Sequence, residues 1–263
     1  MLLSGGKCTI SLGRTCRLAR SNRAAPFRSR TRLQSSVRSR TSISRDMSDS
    51  FSKFLRTKPR IILGSSSPWR QSVIKELAET HEFAYTTAAA NIDERAIRFS
   101  CAQELVLAIG RAKANKIAED LKTNEGDDFD GFLVTGDQVV VCNGKILEKP
   151  DDEAQAREFI SGYAEHPSQT VGSIICTHLP SQTTSEWVEK TEIHIDPIPQ
   201  DSIDMLIEEG AVFLSAGGLM IEHPLVSPHI TKIVGGEDAV RGMSKVGLIT
   251  TLIECWEKQL LED

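Results

Sequence analysis

Residues 131–150, GFLVTGDQVVVCNGKILEKP, run a nearly unbroken apolar strand into a hairpin and leave one carboxylate, Asp137, inside the apolar run. Asn143-Gly144, between VVVC and KILE, tolerates the positive φ angles of a type I′ turn, so this part of the sheet is antiparallel. Upstream, IILGSSSPWRQSVIKEL (61–77) makes a different connection. Ile61, Ile62 and Leu63 favour a strand that stops at Gly64, and the residues after Ser67 favour a helix. Ser67 is placed as N-cap, Pro68 takes the first helical position where no N–H is needed, and Val73, Ile74, Leu77 and Ala78 form one apolar stripe. A strand that feeds a helix, next to a strand that feeds a hairpin, predicts an α/β protein with a mixed sheet flanked by helices.

The rest of the pattern extends that plan. FAYTTAAANIDERAI (83–97) is a short segment carrying the acidic pair Asp93-Glu94, and AQELVLAIGRAKANKIAEDL keeps Leu105, Ile109 and Ala112 at helical spacing. Polar TNEGDDFDG is a loop. Asp151 or Asp152 caps the next helix, with Gln155 placed to complete a capping box on Asp152. Two β-rich runs follow, TVGSIICTHL and SEWVEKTEIHI, then a second αβ section, DSIDMLIEEGAVFLSAGGLMIE, and a closing amphipathic helix, MSKVGLITTLIECWEKQLL.

Charge divides the 263 residues unevenly: residues 1–45 contain ten Arg, one Lys and no Asp or Glu. Residues 1–46 therefore have the composition of a disordered basic targeting peptide for a plastid or mitochondrion, the alternative being a basic tail that binds nucleic acid. Met47 offers an alternative start that would leave the product in the cytoplasm. Residues 47–59 are expected to be a linker and 60–263 the folded domain. After position 45, 36 acidic residues face 20 basic ones, about −16 by formal count. That balance argues against a polymeric nucleic-acid partner and for a small anionic ligand held by a few focused cations. No apolar run is long enough to span a membrane, and the six cysteines lack C-x-x-C or zinc-finger spacing, which suits reduced thiols.

A carboxylate in an apolar strand is paired, binds metal or performs chemistry; otherwise Asp137 is a strand-end residue bonded to a turn. The serine turn before Pro68 gathers hydroxyls and unpaired N–H groups at a helix start, which suits a phosphate or is simply a capped connection. Asp93-Glu94 adds carboxylates, and Lys113 and Lys149 add cations, each of which alone would be a solvated surface charge. Together they describe a phosphoryl-transfer site: an anion cradle, carboxylates for a divalent cation and a base, and lysines for negative oxygens. Walker, G-x-G-x-x-G and H-E-x-x-H motifs are absent, and His223 and His229 have no metal-pair spacing.

The order S-x-S-P-x-R, D-E, A-K-A, D-x-V-V-V, G-x-x-x-x-K-P, A-G-G-x-x-x-E over residues 60–255 resembles the Maf nucleotide pyrophosphatases. The resemblance implies an elongated mixed sheet in two lobes around a central cleft, related to the inosine-triphosphatase architecture. It implies a homodimer that uses a divalent metal, Mg²⁺ or Mn²⁺, to hydrolyse a nucleoside triphosphate to monophosphate and pyrophosphate. It places Ser65, Ser67 and Arg70 on the phosphates, Asp137 as the base that takes the proton from water, Glu94 beside Asp137 at the metal, and Lys113 and Lys149 at further substrate-binding positions.

Four positions depart from the commonest branch, which has Arg at Trp69, ADT at Gly136-Asp137-Gln138 and Gln at Glu222. Trp69 follows the cradle directly, and an indole face suits a base made cationic by N7 methylation. The Glu222 carboxylate can accept both N1–H and N2–H of guanine but would face a carbonyl of uracil or thymine, and Gln138 can supply an amide to a remaining polar edge. These residues also resemble the branch that acts on 7-methyl-GTP. The expectation is a pyrophosphatase acting on 7-methyl-GTP or another modified nucleotide; the alternatives are a dTTP/UTP pyrophosphatase of the same family and a non-enzymatic nucleotide-binding regulator.

Overall fold

The computed structural model describes residues 43–126, 129–179 and 181–262. Its first element is α1 (Arg45–Arg56), a helix in the stretch expected as a linker. Ser44 caps it by accepting the Met47 N–H, and Met47, Phe51 and Phe54 are buried. Among the described residues, packed structure therefore already includes 45–56, ahead of the boundary expected near Arg60. Three apolar residues at helical spacing, diluted by serines, are enough to bury one face of α1 against the rest. The expected targeting segment lies outside the described residues except at its end, where Arg45 and Asp46 open α1.

β1 (Ile61–Leu63) and α2 (Pro68–His81) form the predicted strand-turn-helix, with Val73, Ile74, Leu77 and Ala78 buried. β2 (Thr86–Thr87) and α3 (Ala102–Glu125) follow. The apolar run becomes β3 (Gly131–Thr135) and β4 (Gln138–Cys142), and β5 (Lys145–Leu147) returns through Asn143 and Gly144, at φ 48° and 72°. α4 (Glu153–Gly162) is capped by Asp152, which accepts the Gln155 N–H at 2.8 Å. The Gln155 side chain reaches back to the N–H of Asp151, one residue before the expected partner. β6 (Ser168–Leu179) and β7 (Thr184–Ile195) are the two long strands, and α5 (Gln200–Glu209) follows them.

The strand expected after α5 does not form. Gly210, Gly217 and Gly218 all take positive φ, and Ala211–Leu214 and Ala216–Gly218 wind into 3₁₀ turns instead. The strand that does form there is β8 (Ile230–Val234), after which come α6 (Glu237–Val240) and α7 (Lys245–Glu262).

The sheet is mixed, as predicted. β6 is its spine: β3 and β4 run along one edge of it in a single register, from Gly131 opposite Leu179 to Cys142 opposite Ser168. Parallel β1 and β2 widen the sheet beyond β3, and antiparallel β5 widens it beyond β4. β7 pairs with the other edge of β6, and β8 with the end of β7. The pairing lapses at Gly136 and Asp137, between the two halves.

Neighbouring residues of β6 face opposite layers. Ile174 packs against α7 at Gly247, and Ile175 against α3 at Gly110, so the two longest helices cover opposite faces. α1 and α2 join the α7 layer through Phe51, Phe54, Val73 and Ile74, while α4 and α5 pack together through Ile160, Ile203 and Leu206. No described helix is long and apolar enough to cross a membrane.

Candidate active site

At the break in the ladder α3 lies tightly against the sheet. A Cβ on Gly136 would lie 2.1 Å from the Ser173 carbonyl oxygen, and one on Gly110 would lie 2.8 Å from Ile175 Cδ1. Side-chain hydroxyls stitch the gap: Thr135 Oγ1 donates to the Gly110 carbonyl (2.9 Å) and Ser173 Oγ to that of Val106 (2.7 Å). Ser173 Oγ also accepts the Asp137 N–H at 3.1 Å. Lys113 stands three residues after Gly110, on the turn of α3 that lies over the break.

Lys113 consequently reaches Asp137. Its Nζ lies 2.9 Å from Asp137 Oδ1 and 3.0 Å from Glu94 Oε1, and the Lys113 and Asp137 side chains are each only 10% exposed. Burying either charge alone would be costly, and each neutralises the other. Asp93 has a local task, accepting the Arg95 N–H at 3.1 Å, which leaves Glu94 to turn toward Lys113. Arg95 and Arg98 tie this segment across to Asp151 (2.7 Å) and Glu148 (3.4 Å), on either side of Lys149.

The serine turn faces the same space. Ser65 is buried, and its Oγ accepts from the Ser67 N–H (3.2 Å) and Arg70 Nη1 (3.5 Å). Ser67 occupies the N-cap position as predicted, but its hydroxyl makes no capping bond to α2. Arg70 Nε is anchored on the Gly242 carbonyl at 3.1 Å.

Ser65, Ser67, Trp69, Arg70, Glu94, Lys113, Asp137, Gln138, Lys149 and Glu222 all line one cavity of about 730 Å³. Ser65, Ser67 and Arg70 lie at the start of α2, Lys113 and Asp137 at the floor, Glu94 and Lys149 toward the rim. Trp69 is half-buried in the wall rather than in the core, and Glu222 is exposed. The loop carrying Glu222 is pinned by the buried Tyr163 hydroxyl, which donates to the Gly217 carbonyl at 2.6 Å, and by the Gly217 N–H on the Glu148 carbonyl at 2.8 Å. Burial pushes the Tyr163 phenol well above its usual value, keeping it a neutral donor. Gln138 donates from Nε2 to the Ala239 carbonyl at 2.7 Å, so its amide is fixed by the backbone it touches. His223 bonds at both ring nitrogens, to Glu209 (2.8 Å) and the Leu225 N–H (3.2 Å), in keeping with a structural role.

The sequence missed one wall, residues 239–242 after β8, which receives Gln138 and Arg70 and presents Arg241 to the cavity. The basic Arg241 before Gly242 was its only signal, and without β8 nothing places it near α2. Among the described residues, no group of three or more His, Cys, Asp or Glu side chains is placed to hold a metal ion.

Fold and cavity together define an α/β protein with a polar cleft suited to a small anionic ligand. Residues 60–255 match the family model described as Maf-like protein. A 7-methyl-GTP pyrophosphatase of Dictyostelium discoideum is 35% identical over 193 residues, covering 72% of this chain and 93% of the relative. A dTTP/UTP pyrophosphatase of Halalkalibacterium halodurans is 30% identical over 62% of this chain and 78% of its own length. A 7-methyl-GTP pyrophosphatase of Vibrio vulnificus is 23% identical over the same shares. The chain belongs to the Maf family, and these relatives are nucleotide pyrophosphatases, hydrolases that act on acid anhydrides.

Proposed function

We propose that this chain is a nucleoside-triphosphate pyrophosphatase that converts 7-methyl-GTP to 7-methyl-GMP and pyrophosphate. The observation that carries it is the convergence, in one cavity, of the buried Lys113–Asp137 pair with the serine-arginine turn and with Trp69 and Glu222. Arg70, the Ser65 and Ser67 hydroxyls and the start of α2 hold the triphosphate, and Lys149 adds charge from the rim. Asp137 takes a proton from a water that adds to the α-phosphorus. The bond to the bridging oxygen then breaks and pyrophosphate leaves with that oxygen. Lys113 orients the carboxylate.

A divalent cation fits the donor set. Asp137 and Glu94, whose carboxylates both reach Lys113, would hold it as hard oxygen donors of the kind Mg²⁺ or Mn²⁺ takes. When bound, the cation offsets phosphate charge and polarises the anhydride.

Trp69 stacks on the methylated base, whose positive charge favours the indole face, while the Glu222 carboxylate accepts from N1–H and N2–H. The 35% identical Dictyostelium relative supports this choice of base; the dTTP/UTP pyrophosphatases at lower identity define the competing one. The test is a panel of 7-methyl-GTP, GTP, UTP and dTTP with Mg²⁺ or Mn²⁺, read as pyrophosphate release. Preference for UTP or dTTP overturns the base assignment, and release from none of them leaves a nucleotide-binding regulator.

The same proposal includes a homodimer, testable by light scattering, and a targeting role for the basic segment. Because α1 is capped by Ser44, the targeting information would lie before that residue. A reporter fused behind residues 1–43 that stays in the cytosol would count against it.

A further inference from the structure

Arg241 lines the cavity but points its Nη2 away, along α2. That nitrogen donates to Ser72 Oγ (3.0 Å) and to Glu76 Oε1 (3.1 Å), and the other Glu76 oxygen accepts Lys245 Nζ at 2.7 Å. One carboxylate therefore serves two cations. Lys245 and Arg241 together hold the Glu76 carboxyl below its usual range, Lys245 having the larger effect. Glu76 is 42% exposed and Arg241 29%, so the arginine's share of this triad is a weak, solvent-screened contact.

The surroundings hold Arg241 at the cavity wall. Trp69, Ser72 and Glu76 are spaced along one face of α2, and Ser72 Oγ donates to the Trp69 carbonyl at 2.8 Å. The residue after Arg241 holds Arg70 through its carbonyl, and Asp238 clamps the segment by accepting the N–H groups of Ala239 (3.0 Å) and Lys245 (2.7 Å). A guanidinium has five N–H donors, and the bonds to Ser72 and Glu76 use only those of Nη2.

We propose that Arg241 is a substrate-binding residue that exchanges partners: it rests on Glu76 without ligand and turns to the triphosphate oxygens when a nucleotide binds, Lys245 staying behind to neutralise Glu76. This rests on the nucleotide reading of the cavity. The phosphates are its target rather than the base, because a guanidinium would repel a cationic methylated base, whereas a planar fork matches phosphate oxygens.

The experiment measures binding of inorganic tripolyphosphate by calorimetry, with KM and kcat for the preferred nucleotide, in wild type, Arg241→Ala, Arg241→Lys, Glu76→Gln and Lys245→Ala. Arg241→Ala should weaken tripolyphosphate binding and raise KM by about tenfold or more, with Arg241→Lys recovering part of the loss. Glu76→Gln should release the arginine and tighten tripolyphosphate binding several-fold. Lys245→Ala, which leaves Arg241 as the sole cation on Glu76, should weaken it. If wild type binds tripolyphosphate but Arg241→Ala binds it within twofold of wild type, Arg241 only props α2 and the exchange is wrong. Unchanged binding in Glu76→Gln would overturn it equally, even if Arg241→Ala failed to fold. Wild type that neither binds tripolyphosphate nor hydrolyses any nucleotide would overturn the underlying nucleotide reading instead.

Discussion

Asp137 and Ser173 face each other across the break in the central sheet: the Asp137 N–H goes to the Ser173 hydroxyl at 3.1 Å, and the Ser173 N–H returns to the Asp137 carbonyl at 2.9 Å. Backbone bonding thus fixes the position from which the Asp137 carboxylate meets Lys113. Asp137→Asn keeps that frame, removes the proton acceptor and leaves Lys113 with Glu94 at 3.0 Å as its counter-charge, so kcat should fall by roughly 10² to 10⁴ with a smaller loss of stability than Lys113→Met. Near-normal turnover would move the base to Glu94.

Lys113→Met should act on stability as well as on rate. It leaves Asp137 buried without its cation, a loss on the order of 3 kcal/mol for a broken buried pair. Denaturant titration measures it, and in the double variant Lys113→Met with Asp137→Asn most of that loss should disappear. An unchanged midpoint in Lys113→Met would show the pair to be better solvated than its burial implies.

Activity should depend on a divalent cation. Chelation should abolish pyrophosphate release, and Mg²⁺ or Mn²⁺ should restore it. Glu94→Gln should require more metal for half-activation while the fold, read by circular dichroism, is unaltered. Full activity in chelator would remove the metal from the mechanism.

Selectivity should reside in Trp69 and Glu222. Trp69→Ala removes a cation–π face worth up to about 2 kcal/mol when desolvated, roughly thirtyfold in kcat/KM for 7-methyl-GTP relative to GTP. Glu222→Gln should narrow the margin over UTP and dTTP. Unchanged ratios in both variants would return Trp69 and Glu222 to structural roles.

The helix α1 makes a prediction about length. A chain beginning at Met47 loses the Ser44 cap, worth about 1 kcal/mol, and should keep full activity. One beginning at Arg60 also loses Phe51 and Phe54, both fully buried against α7 and its neighbours, at about 2 to 3 kcal/mol for each side chain. Thermal melting should separate the two. Equal stability would make α1 an appendage.

Glu189 sets a pH dependence away from the cavity. Burial, the largest cause, pushes its carboxyl above the usual value, with Asp238 adding to it against hydrogen bonds from Ser244 and Trp187. In the window between its unfolded and its raised folded value the native state holds more protons, so stability falls as pH rises through that window. Glu189→Gln should flatten the slope and raise the melting temperature above the window. A slope unchanged by the substitution would assign the dependence to other groups.

The strand-turn-helix at 61–81, the Asn143-Gly144 hairpin and α3 were legible because local rules suffice for them: alternating or helical apolar spacing, a proline at a helix start, a residue pair that accepts positive φ. α1 was missed because its apolar stripe is diluted by serines and shows its worth only against α7. β8 was missed because a short, half-exposed edge strand has little apolar pattern of its own. The strand expected near 211–222 was lost to three glycines whose positive φ favours turns.

The chain's own order of residues determined the family, the mixed α/β class and which side chains could do chemistry, since these depend on residue type and short-range spacing. Tertiary structure decided what each of those side chains meets. Lys113 and Asp137 are 24 residues apart and meet as an ion pair where Gly110 lets α3 lie close against the strand break at Gly136. Arg241 enters the cavity only because a late strand and a turn return the chain to α2, 169 residues from Ser72. Such contacts are set by packing at van der Waals distance across the whole fold, and no local pattern encodes them.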